Sequence, residues 1–246
     1  PLRLNRNLVP TVVRPAADII TMVPDKLATL RLFQLVSPSL PTGAFSYSQA
    51  LEWTVDAGWV HDTGSLKEWL GSVLYSSFRE LEIPLLKRLY EACGGADLDN
   101  FRYWADYAVA CRETMELRDE ETNRGRAVAR ILAGLGEDFE QQWLRICRNS
   151  QLAGFTYAAQ TWKRDLSDAA RGYCWGWLEN QVMAAIKIVP LGQTPGQRVL
   201  AELAREVGTI VDAGLKLSDD ELGGSCPALA VASSLHEKQY TRLFRS

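Results

Sequence analysis

After Pro24 the apolar positions recur every three or four residues, the spacing of a helix with one buried face. Leu27, Leu30, Phe33 and Leu35 set out a first helix, and residues 49–55 a short second one that stops near Gly58. Ser65 with Glu68 fits a capping box, and behind it Leu66, Trp69, Leu70, Val73 and Leu74 fall on one face. Pro84 is expected to kink or restart that helix, which runs on to Cys93 and ends at Gly94-Gly95. Asp99 is placed to cap the next, with Phe101, Trp104, Tyr107, Ala108 and Cys111 turned inward. Helical patterns follow over 140–148, 152–163 and 167–188. Thr194-Pro195-Gly196-Gln197 then combines a capping box with proline at the first helical position. A break at Gly223-Gly224 precedes a last helix from Pro227 over 228–235, and no run alternates apolar and polar residues between hairpin turns. The pattern predicts an all-α, bundle-like single domain of about ten helices over residues 26–246, behind a flexible arm at residues 1–25.

One stretch interrupts the periodicity. Residues 35–53, LVSPSLPTGAFSYSQALEW, break at Ser37-Pro38 and stay broken through Pro41 and Gly43. Each proline fixes its own φ and biases the preceding residue away from the helix, while Gly43 is free to take a conformation closed to other residues. Ser46 with Gln49 fits a capping box, so the helix is expected to resume there. The result is a stiff elbow that orients Phe45 and Tyr47, either as a recognition surface or as a packing corner.

Three further stretches stand out. Residues 112–126, RETMELRDEETNRGR, hold nine charges in fifteen positions. They read as a solvated helix face, supported by the Glu120–Arg124 pair, or as a partner-facing helix end bearing Arg112, Glu113, Glu121, Asn123 and Arg124. Asn123 and Gly125 are expected to interrupt the helix there. Residues 172–189 carry Tyr173, Trp175, Trp177, Val182, Met183, Ile186 and Ile188, apolar almost all round, as a central core helix would be. The tail, SSLHEKQYTRLFRS, puts Tyr240, Leu243 and Phe244 at helical spacing among basic residues, a pattern that favours folding on a partner over a disordered end.

Composition narrows the chemistry. Twenty-seven basic against thirty acidic residues give a net charge of −3, which argues against nucleic acid or an anionic membrane as the main partner. No apolar run approaches the ~20 residues that span a bilayer, and residues 1–25 lack the apolar core of a signal peptide. Five cysteines, an odd number without a C-x-x-C pair, read as reduced thiols of a cytoplasmic protein. There is no phosphate loop, no dinucleotide fingerprint and no nucleophile elbow. Two histidines, His61 and His236, stand outside any metal-ligand spacing, so a dedicated tight metal site within the chain is not expected. Asp219-Asp220-Glu221 looks at first like an acidic magnesium motif, but Ser218 with Glu221 fits a capping box instead.

Several separated segments, in order, resemble the UreF family of urease accessory proteins. They are residues 35–53 above, Gly58-Trp59-Val60, Ala110-Cys111-Arg112-Glu113-Thr114, Glu121-Thr122-Asn123-Arg124-Gly125, Ser150-Gln151-Leu152-Ala153-Gly154, Val189-Pro190-Leu191-Gly192-Gln193 and the ending HEKQYTRLFRS. The likeness spans roughly residues 30–246. It implies an all-helical homodimer that binds UreD (also called UreH), recruits the GTPase UreG and assists nickel delivery to the urease apoprotein. It also implies a non-catalytic, regulatory role, with nickel handled by the complex and no cofactor of the chain's own. By the same resemblance, Pro41, Gly43, Phe45, Ser46 and Tyr47 would face the GTPase, and His236, Glu237, Tyr240, Leu243 and Phe244 would face UreD. Phe45 stands where some relatives carry tyrosine, so its part would be one of shape. Two other readings of the residues remain: a helical enzyme with a small-molecule pocket lined by the Trp-rich helices, and a helical adaptor for other partners.

Overall fold

The computed structural model describes residues 24–135 and 139–246. The expected N-terminal arm, up to residue 23, lies outside them. Ten helices form the fold, with no strand among the described residues. They are α1 (Pro24–Val36), α2 (Leu51–Asp56), α3 (63–94), α4 (Leu98–Ala110), α5 (Met115–Gly134), α6 (Gln141–Cys147), α7 (Gln151–Thr161), α8 (Leu166–Ile188), α9 (Gln193–Gly214) and α10 (Pro227–His236). Single 3-10 turns occur at Ala44–Ser46 and Asp219–Glu221. No helix among the described residues is long and apolar enough to cross a membrane.

Helix α8 is the central element. It packs on α1, α2, α3, α7, α9 and the Ala44–Ser46 turn, and buries Ala169, Ala170, Tyr173, Cys174, Leu178, Val182 and Ala185. Small residues let its neighbours approach closely, and Leu178 and Val182 fill the space between them. Around α4, α6 and α7 the core is aromatic. Phe101 meets the Trp143 ring edge-on at 5.0 Å, and Trp143 stacks on Tyr157 at 5.6 Å.

Pro84 does its expected work without ending the helix. The middle of α3, Leu74–Glu82, is π-helical, and the α-helix resumes at Ile83. Pro84 has no N–H to offer the carbonyl of Glu80 four residues back, and that carbonyl accepts the N–H of Gly223 at 3.2 Å. The same crossing strand of chain is held by Lys87 Nζ on the Leu215 carbonyl (3.0 Å) and by Arg88 Nε on Asp219 (2.7 Å).

Several expected caps fall elsewhere. The box at the start of α3 is Asp62–Ser65, not Ser65–Glu68, and Asp97, not Asp99, caps α4. Helix α9 begins at Gln193 behind Gly192 with no side-chain cap, so the Thr194–Gln197 box does not form. The Ser218–Glu221 box does form. Nor does Gly125 interrupt α5. A β-carbon there would lie 2.7 Å from the Cys147 carbonyl and 2.9 Å from the Ser150 nitrogen, so glycine serves the close approach of α5 to the α6–α7 turn.

Candidate functional site

The elbow between α1 and α2 is held by its own short-range bonds. Leu40 N–H donates to the Ser37 carbonyl at 3.0 Å, and Ser46 donates to the Gly43 carbonyl through both its N–H (3.0 Å) and its hydroxyl (2.7 Å). Gly43 has φ +78°, the left-handed conformation its position requires. The expected Ser46–Gln49 capping box is absent, because Ser46 is committed to Gly43 and the helix resumes only at Leu51. Gln49 and Ala50 both sit at positive φ, 50° and 64°, a conformation that costs non-glycine residues about 1–3 kcal/mol each. The Gln49 amide is pinned meanwhile, donating to Glu120 (3.0 Å) and accepting from the Trp177 indole (2.7 Å). Of the elbow aromatics, Phe45 projects outward at 65% exposure, whereas Tyr47 is buried and its carbonyl accepts from Asn180 at 3.2 Å. Pro41 is exposed; Gly43 and Ser46 are half-buried.

The tail comes back to this elbow. No helix continues past His236; residues 237–246 fold over α2 and the start of α5. Glu52 of α2 accepts the N–H groups of Leu243 (2.6 Å) and Phe244 (2.9 Å), and its carboxylate lies 3.4 Å from His236 Nε2. The other His236 nitrogen, Nδ1, is 2.6 Å from Glu116, which also pairs with Arg242. Glu237 accepts from Met115 N–H at 2.9 Å, placing a carboxylate at the N-terminus of α5 where the helix dipole favours it. At the last residues, Arg245 N–H donates to the Ser46 carbonyl (2.9 Å), and Ser48 gives its N–H (2.7 Å) and hydroxyl (2.6 Å) to the main-chain oxygen of Ser246. His236 and Phe244 are thus buried, while Tyr240 (fully) and Leu243 (66%) face solvent.

The charged run turns inward. Arg112 pairs with both oxygens of Glu82 and with Glu121 (2.9 Å); Glu121 also accepts the Ser150 hydroxyl (2.7 Å) and Leu152 N–H (3.0 Å). The Tyr173 hydroxyl donates to Glu82 at 3.1 Å, and Arg124 to Glu120 at 2.7 Å. Burial alone would raise the Glu121 pKa, but the Arg112 charge and the Leu152 and Ser150 donors hold it below the usual carboxylate value. Burial likewise opposes the Arg112 charge, and Glu82 and Glu121 more than restore it. Only Glu113 and Asn123 of the five residues singled out in this run are exposed. The Glu120–Arg124 pair expected along the helix does form, but the run is not a solvated face: the partners of Arg112 and Glu121 arrive from α3 and α7, and Gln49 of the elbow covers Glu120.

Between elbow and network lies a cleft of about 100 Å³, walled by Phe78, Phe155, Tyr173 and Trp177 and floored by Glu82, Arg112, Glu121 and Arg124. Elbow and tail, read separately in the sequence, are therefore one connected surface. The residues that join them, Ser48, Gln49, Glu52 and Glu116, gave little sign of it. Glu52 and Glu116 look like solvent-facing helix acids until the tail covers them.

The fold and site define an all-helical protein whose buried polar groups fasten a C-terminal tail to a proline-glycine elbow. The UreF family model matches residues 60–204, more than half of the chain. The UreF urease accessory protein of Alcanivorax borkumensis is 46% identical over 225 residues, covering 89% of this chain and 98% of that one. The same protein of Pseudomonas entomophila is 48% identical over 222 residues (89% and 98%), and that of Escherichia coli O157:H7 42% over 217 residues (88% and 97%). The chain belongs to the UreF family of urease accessory proteins. Membership carries a role in urease maturation.

Proposed function

We propose that the chain is a non-catalytic scaffold and GTPase regulator in the cytoplasm, offering its tail to UreD (UreH) and its elbow to UreG as a homodimer. Nickel, the cargo, passes through the assembled complex to the urease apoprotein without a tight site of this chain's own. The supporting observation is the hydrogen bonding between tail and elbow. A partner that grips Tyr240 and Leu243 pulls on main-chain groups fastened to Glu52, in the first turn of the helix that follows the elbow. Arg245 and Ser246 carry the effect to Ser46 and Ser48, on either side of Tyr47 and next to Phe45.

Co-purification with UreD and UreG tests this. Phe45, Tyr240 and Leu243 are exposed, so substituting them alters stability by no more than ~0.5 kcal/mol. Phe45→Ala is expected to keep UreD and lose UreG, and Tyr240→Ala/Leu243→Asp to lose both. Retention of UreG by both variants, with circular dichroism unchanged, would refute the assignment.

A further inference from the structure

The cleft beneath the elbow supports an inference that does not depend on the partner reading. Arg124 lines it and gives Nη1 to Glu120, while its Nε is buried with no hydrogen-bond partner among the described residues. A buried N–H left unmet costs about 1–3 kcal/mol, so the cleft favours an occupant that brings an oxygen acceptor.

The charge of the lining limits which acceptor fits. Glu82, Glu113 and Glu121 line the cleft against Arg112 and Arg124, leaving a carboxylate in excess. A second anion would meet that excess, and a neutral oxygen would not. The lining also has spare acceptor capacity. Among the described residues Glu82 Oε1 and Glu121 Oε2 each receive only an Arg112 donor, where a carboxylate oxygen has room for two. Shape and size complete the description. The Trp177 and Tyr173 rings suit a flat group, and if a 150 Å³ cavity holds benzene, about 100 Å³ holds about four heavy atoms.

We propose that this cleft is a binding site for a small neutral primary carboxamide. Its carbonyl would accept from Arg124 Nε, and its amino group would donate to Glu82 or Glu121. Acetamide is the probe, with acetate as its charged counterpart of the same size. Saturation-transfer NMR on the full chain at neutral pH is expected to show acetamide binding and no acetate binding. Arg124→Gln should weaken acetamide by about three- to tenfold, the worth of one hydrogen bond. Because that change also removes a partner of Glu120, Ala44→Leu serves as a second variant. Ala44 lines the cleft from the elbow and is half-buried, so the larger side chain fills the space and should abolish the signal with the melting temperature retained. Absence of acetamide binding to the wild type, equal binding of acetate, or acetamide binding unchanged in Ala44→Leu would each overturn the proposal.

Discussion

Replacing Arg112 by methionine keeps the aliphatic stem and removes the charge, leaving Glu82 and Glu121 facing each other with side chains only 4% and 6% exposed. Breaking a buried ion pair from one side costs about 3–5 kcal/mol, because the remaining charges stay desolvated. The protein has one escape, to hold a proton on one of the two carboxylates. For a glutamate whose ordinary pKa is 4.5, that costs about 3.4 kcal/mol at pH 7, which sets the ceiling on the electrostatic loss. The cost of the escape falls by about 1.4 kcal/mol for each unit of acidification. In the wild type, Glu121 has a lowered pKa, so its stabilisation is present above the unfolded value and is lost only as pH falls through the folded one. In the variant, one carboxylate has a raised folded pKa, and its contribution is greatest below the unfolded value and lost as pH rises. The two stability curves must therefore converge on acidification. Urea unfolding followed by circular dichroism should show Arg112→Met less stable by about 3 kcal/mol at pH 7.5 and by about 1 kcal/mol or less at pH 5.5. A difference below ~1 kcal/mol at pH 7.5, or one that does not change with pH, would refute the reasoning.

Other perturbations test the packing and the thiols. Gly125→Ala drives a β-carbon into main-chain atoms of Cys147 and Ser150, which have no flexible end to move aside, and should lower stability by about 1–3 kcal/mol and Tm by about 3–10 °C. Gly208→Ala, where nothing lies within 4 Å of the added carbon, should instead stabilise α9 by about 0.5–1 kcal/mol; the same thermal melt decides both. Burial pushes the Cys93 thiol up to about 12 and those of Cys147 and Cys174 higher still. At pH 8 about one Cys93 in ten thousand is thiolate, so these three should resist Ellman's reagent until the protein is denatured. Rapid labelling of more than two of the five native thiols would contradict this burial.

The helical period of the sequence was enough to predict an all-α fold, the central place of residues 172–189 and the break at the elbow. Each follows from contacts within a few turns of helix, where apolar spacing and proline chemistry act locally. Cap positions were less secure, because Ser-x-x-Glu and Thr-x-x-Gln occur without capping. Which end wins depends on packing, as when Asp62 takes Ser65 and Ser46 turns back to Gly43. The elbow was legible as stiff, but not its outward Phe45 and inward Tyr47, which depend on how the elbow seats against α8, where Asn180 holds the Tyr47 carbonyl.

Tertiary structure alone decided the chemistry of the charges. Arg112 and Glu121 read as a helix surface because their partners, Glu82 and Ser150, lie far away in sequence, whereas Arg124 meets Glu120 one turn back, as the spacing predicts. His236 was expected in a partner-facing tail, yet it is wholly enclosed, its nitrogens facing Glu52 and Glu116, which are 184 and 120 residues away. Periodicity reports whether a face is apolar, and a buried polar cluster leaves no such mark. It exists only where the fold brings complementary charges together and removes the water between them.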